Sequence, residues 1–289
     1  MIKQDILHRF LFEELGVRGE WVKLGRSWQE ALQYQQGTEF VKELLGQALV
    51  AVTMLSATVK FTGSMILQAQ GDGNIKTLVA QASHDRKIRG LVRSHVDAED
   101  GTLVTLFGQG FLALTIEIDN SDPYQGIVPL EGENLANALE TYFQQSEQIK
   151  TRLWLFADQY HAAGLLLQEL PAQKHFLADW ERIEMLADTI TRKELLELDC
   201  EQVLYRLFNE EKVRLFAPEP VVFQCTCSRP RIERTLRAMG RPELEDILRE
   251  QQQIEVVCEF CGSAYQFDKV DVESILTQSG LSISSETRH

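Results

Sequence analysis

The sequence predicts an α+β protein in three parts: a mixed sheet-and-helix core over residues 1–172, a helical linker over 173–218 and a small four-cysteine zinc domain over 219–289. Three observations carry this. Apolar residues recur at helical spacing in some segments and alternate in others, and glycine-rich turns separate the alternating runs, as in antiparallel hairpins kept apart from helices. A series of short amphipathic segments ends at Ala217-Pro218-Glu219-Pro220. Four of the five cysteines fall between Cys225 and Cys261, and none precedes Cys200.

The elements follow in order. Leu44, Leu45, Ala48, Leu49, Val52, Leu55 and Val59 step by three and four residues, which predicts a helix with a broad buried face. Gln47, Thr53, Ser56 and Thr58 interrupt that stretch, and it is shorter than the ~20 residues a bilayer demands, so a buried helix is expected and no membrane partner. Ser64–Gln70 and Ile75–Ala80 read as strands around Gly71-Asp72-Gly73-Asn74. The two glycines lack the third glycine, the following helix and the Lys-Ser/Thr of a phosphate loop, which favours a hairpin. Leu103–Phe107 and Phe111–Ile118 around Gly108-Gln109-Gly110 are expected to form a second hairpin, with Leu112, Leu114, Ile116 and Ile118 on its buried face.

Leu135, Leu139, Tyr142 and Phe143 mark an amphipathic helix, and Leu153–Phe156 and Gly164–Gln168 two further strands. From Leu177 to Arg214 apolar positions such as Trp180, Ile183, Leu186, Leu195, Val203 and Leu207 lie on successive short helices. The prolines at 218 and 220 close this linker, because proline cannot continue a helix and restricts the residue before it. Thr277–His289 reads as a loose tail.

Composition bounds the function. At 289 residues the chain is about twice a ~150-residue domain, and 44% hydrophobic with 25% charged residues is ordinary for a folded globular protein. A net charge of -14 repels phosphate backbones and anionic lipid. Lys3, Asp5, His8, Arg9, Glu13 and Glu14 break the opening apolar residues, so no secretory signal is read and a cytoplasmic location is expected. Reduced thiols in that compartment favour metal or redox chemistry over structural disulfides.

Cys225-Thr226-Cys227 and Cys258-Glu259-Phe260-Cys261 are separated by 30 residues. Two such pairs can give four thiolates to one tetrahedral Zn²⁺, with Zn–S near ~2.3 Å. Ile254–Val257 and Ala264–Phe267 read as strands flanking the second pair, and Ile232, Leu236, Met239, Leu244, Ile247 and Leu248 as two helices between the pairs. Four thiolates close the coordination sphere, whereas a hydrolytic zinc keeps a position open for water, so no catalytic residue is assigned. A static structural zinc is the alternative to a switch; the C-x-C half favours the switch, since adjacent cysteines close only as a strained, labile disulfide. Cys200 has no partner in sequence reach and reads as a buried helix residue. His84, His95, His161 and His175 lack companions at motif spacing. His84-Asp85-Arg86-Lys87 reads as a polar turn.

Arg229, Arg231, Arg234, Arg237 and Arg241 follow the first pair, with Glu233 the single acid among them. They are expected to offset the dianionic metal–thiolate centre and to keep the thiol pKa values low without metal. The rival reading is a zinc-ribbon nucleic-acid-binding protein that uses this 229–241 cluster. It is disfavoured by Glu243, Glu245, Asp246 and Glu250 immediately after it and by the lack of interleaved aromatic residues for base stacking.

The run Val221-Val222-Phe223-Gln224-Cys225-Thr226-Cys227-Ser228-Arg229, followed by Val257-Cys258-Glu259-Phe260-Cys261-Gly262, closely resembles the redox-regulated holdase chaperones of the bacterial 33 kDa heat-shock protein family. Further segments resemble that family in its own order: Arg18-Gly19-Glu20, Leu67–Gly73, Tyr124–Leu130, Ser146-Glu147-Gln148, Ala163–Gln168 and Leu204–Phe208. Tyr34-Gln35-Gln36 and Cys200 depart from its pattern, and neither touches the four thiols. The resemblance implies an ATP-independent chaperone, not an enzyme, that is inactive when reduced and zinc-bound and is switched on by oxidation. It implies Cys225, Cys227, Cys258 and Cys261 as zinc ligands and redox-active disulfides, unfolding proteins as clients, a homodimer when oxidised, and ATP-dependent foldase chaperones downstream. Physical reasoning runs the same way: zinc contributes ~10 to 16 kcal/mol in small metal-held peptides, against ~3 to 5 kcal/mol from a core this small. Loss of the thiolates should unfold the domain and release the linker.

Overall fold

The computed structural model describes residues 5–95, 100–119, 121–170 and 177–277. The chain divides into two compact units, Met1–Gln224 and Cys225–His289. Residues 171–176, which hold the expected core–linker boundary and His175, lie outside the described residues, as does the expected tail beyond Thr277.

The first unit opens with a hairpin, β1 (Ile6–Phe12) and β2 (Val17–Leu24), followed by α1 (Arg26–Leu32) and the long α2 (Glu39–Thr58). Then come β3 (Gly63–Gly71), β4 (Ile75–Ser83), β5 (Lys87–Ser94), α3 (Leu103–Phe107), β6 (Gly110–Ile118) and β7 (Tyr124–Pro129). A helix α4 (Leu135–Tyr142) runs into a π-helical turn at Phe143–Glu147 and is followed by β8 (Thr151–Ala157) and β9 (Ala162–Glu169). Then come α5 (Leu177–Ala187), α6 (Arg192–Glu197) and α7 (Cys200–Phe208), all within the expected linker, and β10 (Val213–Leu215), β11 (Glu219–Pro220) and β12 (Val222–Phe223). One sheet has the order β10-β1-β2-β9-β8, with β11 also on β1, and the other the order β12-β5-β4-β3-β6-β7. The α+β expectation is met: the pairings are antiparallel except β12 with β5.

Helix α2 lies between these two sheets and is buried on nearly every side from Val41 to Ser56. It is long and apolar enough to cross a membrane, yet 72% of its apolar window is buried within the protein, as in a core helix. Its interior polar residues turn back on the helix itself: Thr53 donates to the Leu49 carbonyl at 2.6 Å and Ser56 to that of Thr53 at 2.8 Å.

The strand Ala162–Glu169 is buried at consecutive positions, so both faces of its sheet must be covered. On one face Leu7, Val22, Leu155 and Leu166 pack with α2. On the other, Phe10, Phe12, Trp21, Trp154, Leu165 and Leu167 pack with Trp180, Ile183, Leu195, Val203 and Leu207 of the linker helices. Capping boxes start two of these helices, Thr191 with Glu194 and Asp199 with Gln202. Polar ties reinforce the cover. Lys23, 1% exposed, donates to the Glu197 and Leu198 carbonyls at the end of α6 (3.0 and 3.3 Å). Arg152 on β8 pairs with Glu184 and Asp188 at 2.7 and 3.0 Å.

Two expectations are corrected. Leu103–Phe107 is a helical turn rather than a strand: the Thr102 hydroxyl accepts the Thr105 N–H, and Gly108 at φ +67 ends the turn. Its four apolar residues and Thr105 suit either state, and the cap at Thr102 decides between them. The partners of β6 are instead β3 and β7, and its burial fades toward Ile118, which is exposed. The helical linker also ends earlier than Arg214, because Val213–Leu215 pairs with Phe10–Phe12 as an edge strand.

Glu20 on β2 is 2% exposed, and its Oε2 has no hydrogen-bond partner. Burial, opposed by Arg18, Arg9 and Arg86, pushes its carboxyl from 4.5 up to about 7. The folded state therefore retains a proton that the unfolded chain gives up near 4.5. Stability from this group is present below that value and is lost as pH rises through about 7. Glu20→Gln is expected to raise stability at pH 8 by about 2–3 kcal/mol and to flatten the dependence from about pH 5 to pH 8. Denaturant unfolding across that range checks this, and a variant weaker than the parent at pH 8 would show that the three arginines need the charge.

Candidate metal centre

The second unit holds α8 (Arg229–Met239), α9 (Arg241–Gln251), the hairpin β13 (Ile254–Val257) and β14 (Ala264–Phe267), and α10 (Lys269–Thr277). Its buried apolar cluster consists of Leu236, Leu244, Ile254, Phe267, Val272 and Ile275. Such a core is too small to hold about 50 residues firmly without another link.

Each cysteine pair sits where the local chain turns. Cys258-Glu259-Phe260-Cys261-Gly262 forms the knuckle of the β13–β14 hairpin. Gly262 donates to the Cys258 carbonyl at 2.7 Å, and the Cys258 amide donates to the Ser263 carbonyl at 2.9 Å. Gly262 adopts φ +68, a conformation that an L side chain strains. Cys225 and Cys227 lie just before α8, whose first turn carries Pro230.

The fold brings all four predicted thiols together, each Sγ within 4.8 Å of the others. Cys225 and Cys258 are 3.7 Å apart and Cys227 and Cys261 3.4 Å. A tetrahedral metal–thiolate site with ~2.3 Å bonds has edges of about 3.8 Å, so the donor set fits a metal ion in both chemistry and span. Tyr265 donates to Cys227 Sγ at 3.2 Å, and Ser263 Oγ lies 3.3 Å from Cys261 Sγ. The Tyr265 bond had no signal in the sequence, since it depends on the hairpin register. Among the described residues these cysteines form the group of potential ligands that comes together, and His84, His95 and His161 are not part of it.

Burial raises the Cys225 thiol and pushes that of Cys258 up to about 12. At Cys261 burial also opposes ionisation, but hydrogen bonds from Ser263 and from the Cys227 and Cys225 thiols outweigh it and bring the group down to about 7. The expected influence of the arginines does not dominate: burial and hydrogen bonds from neighbouring groups are the leading effects on these three thiols. Arg229 pairs with Asp271 at 2.8 Å and lies over the Phe267 ring, Arg241 pairs with Glu245 and Glu273, and Arg231 donates to Thr226. The cluster thus pins α8 and α9 to the hairpin and α10, which leaves little of it for a phosphate backbone.

Cys200 begins α7 in the first unit, 1% exposed within the linker's apolar cluster. Burial, with Glu201 and Asp199 beside it, pushes its thiol up, so it is a packing residue rather than a ligand. Cys200→Ser is expected to leave the metal content of the reduced protein unchanged and to lower stability by about 1–2 kcal/mol. Elemental analysis checks the first point, and metal loss in this variant would refute the four-thiol assignment.

Comparison with known proteins follows the same lines. The family profile for Hsp33 protein matches residues 5–268. A 33 kDa chaperonin from Nitrosococcus oceani is 55% identical over 289 residues, covering all of both chains. One from Aliivibrio fischeri is 46% identical over 95% of this chain and 96% of its own. The crystal structure of the 33 kDa chaperonin of Thermotoga maritima superposes with a TM-score of 0.83 at 24% identity, over 96% of this chain and 99% of that one, and so shares the fold. Two six-stranded sheets around a buried helix, a compact four-thiol unit and relatives matched over their full length identify the chain as a member of the Hsp33 family of chaperones, not an enzyme.

Proposed function

We propose that the chain is a redox-regulated, ATP-independent holdase of the cytoplasm, with residues 1–172 as chaperone core, 173–218 as a removable cover and 219–289 as the switch. The observation that carries this reading is the meeting of four thiols within 4.8 Å in a unit with so small an apolar core. Zn²⁺ bound by Cys225, Cys227, Cys258 and Cys261 would supply a tetrahedral cross-link between the two cysteine pairs. In the reduced state the thiolates act as structural ligands and the linker helices stay on the sheet.

Peroxide oxidises one thiolate to a sulfenate, with its second oxygen leaving as water once protonated. The neighbouring thiol then displaces water from the sulfenic acid and closes an S–S bond. Each disulfide takes two electrons from the protein and gives them to one peroxide molecule. The sulfur pairs consumed this way no longer tie Cys225 and Cys227 to Cys258 and Cys261, and the unit loses order. Release of the linker would uncover Phe10, Phe12, Trp21, Trp154, Leu165 and Leu167, a contiguous apolar face suited to unfolding client proteins. The oxidised form is expected to be a homodimer and to pass its clients to ATP-dependent foldase chaperones.

The test is peroxide treatment at raised temperature, following metal release and suppression of aggregation of a chemically unfolded client together. Holding activity in the reduced, metal-bound state would overturn the proposal. Peptide mapping of the same samples is expected to show Cys258–Cys261 closing first and Cys225–Cys227 second, because the C-x-x-C loop closes with less strain than C-x-C. In the folded unit the short contacts instead run across the pairs, at 3.7 and 3.4 Å. A dominant Cys225–Cys258 or Cys227–Cys261 link would therefore show that oxidation precedes unfolding, against the coupling proposed.

A further inference from the structure

Several sequence motifs have no part in the thiol switch, among them Arg18-Gly19-Glu20, Tyr124–Leu130, Ser146-Glu147-Gln148 and Ala163–Gln168. The fold brings one residue from each, Arg18, Tyr124, Glu147 and Gln168, to the wall of a single cavity of about 270 Å³ near the C-terminal end of α2. That space equals about nine water molecules at ~30 Å³ each. Its remaining surface is mostly apolar, with Met65 and Leu114 from one sheet and Leu55 and Val59 from α2 and its end. Glu147 ends the π-helical turn, a rare conformation that is frequent at functional sites.

The polar groups on this wall are held in place but not used up. Glu147 Oε1 accepts from the Tyr124 and Tyr142 hydroxyls at 3.1 and 3.0 Å. Burial and the Glu147 charge push the Tyr142 phenol up, so it stays protonated as a donor. Glu147 Oε2 has no hydrogen-bond partner among the described residues. Arg18 directs Nε (3.1 Å) and Nη2 at Gln168 Oε1, and Nη1 at the Thr58 carbonyl at 2.8 Å. Gln168 is itself fixed by donating to Thr151 at 2.9 Å. Of the five N–H donors of a guanidinium, two on Arg18 remain unengaged among the described residues.

The cavity wall therefore carries one anion and one cation beside a largely apolar lining. A ligand of single charge would satisfy one group and desolvate the other without bringing it an opposite charge. A compact zwitterion with an apolar body satisfies both and fills the space between them. We infer that this cavity binds a free α-amino acid with an apolar side chain, its carboxylate on Arg18, its ammonium on Glu147 and its side chain against Met65 and Leu114.

The test titrates the full-length reduced protein with L-leucine by calorimetry, beside 4-methylpentanoate, which lacks the ammonium, 3-methylbutylamine, which lacks the carboxylate, and the dipeptide Leu-Gly. Saturable leucine binding is expected, with the three analogues at least about tenfold weaker. Glu147→Gln keeps the acceptor for the two tyrosines and is expected to weaken leucine about tenfold while leaving 4-methylpentanoate unchanged. Val59→Phe, at a half-exposed position, is expected to fill the cavity and abolish binding without unfolding the protein. No saturable binding at millimolar leucine, equal affinity for either singly charged analogue, or indifference to Val59→Phe would overturn the proposal. Leu-Gly binding as tightly as leucine would also overturn it, by assigning the site to polypeptide N-termini.

Discussion

Cys258→Ser is expected to leave Met1–Gln224 folded and to melt the unit that begins at Cys225. Removing one thiolate from a four-thiolate centre sacrifices most of the ~10 to 16 kcal/mol that zinc contributes to folding in small metal-held peptides. Against this stand six buried apolar side chains and one short hairpin, and a core of that size supplies only ~3 to 5 kcal/mol. The deficit exceeds what the remaining contacts return. The Arg229–Asp271 and Arg241–Glu273 pairs are themselves partly exposed, and such pairs contribute about 0–1 kcal/mol each. Hydrogen exchange checks the prediction: amides of β13, β14 and α8–α10 are expected to lose protection, while those of α2, β3 and β9 keep it. Protected β13 and β14 amides in a metal-free variant would mean that the unit folds on its apolar core alone, and the switch would then need another trigger.

Ile183→Glu is expected to activate the protein without any oxidant. Ile183 is fully buried between α5 and the sheet face formed by β1, β2, β8 and β9. Arg152, which pairs with the adjacent Glu184, is already engaged as well by Asp188 and Glu140. Losing the side chain and burying a charge costs about 4–5 kcal/mol or more, enough to lift α5 from the sheet, whereas the distant core around α2 is untouched. The expected readings are client holding by the reduced, metal-loaded protein and a red shift of tryptophan emission as Trp21, Trp154 and Trp180 meet water. Met185→Glu on the same helix is the control: Met185 is 71% exposed, and its substitution should change neither reading. An Ile183→Glu protein whose linker amides exchange freely yet which holds no client would show that this sheet face is not the client surface.

Much of the architecture was legible because it depends on neighbours in sequence. The helix at Glu39–Thr58, the Gly71–Asn74 turn, the two helices between the cysteine pairs and the strands beside Cys258 and Cys261 follow from periodicity and from glycine and proline placement. The opening hairpin did not declare itself. Leu7 packs toward α2 while His8, Phe10 and Phe12 turn to the linker side, so burial on both faces erases the alternation that marks a strand. Leu103–Phe107 reads as a strand because four apolar residues around a single threonine carry no clear period of their own. Glu219 shows a third kind of limit. In the sequence it is a polar residue between two prolines, yet it meets Arg9 at 2.7 Å and Arg86 at 3.0 Å and holds the strand segment that leads to Cys225.

By itself the sequence singled out the four thiols that could hold a metal ion and their division into two close pairs, because donor softness and loop closure are properties of a few adjacent residues. Only the tertiary structure decided which thiols approach across the pairs, where the arginines go, and that Arg18, Tyr124, Glu147 and Gln168 share one cavity. Those outcomes depend on sheet order and on contacts between residues as many as 150 positions apart, such as Arg18 with Gln168. No local pattern encodes them, since such a contact forms only after the packing of apolar faces has chosen which strands lie side by side.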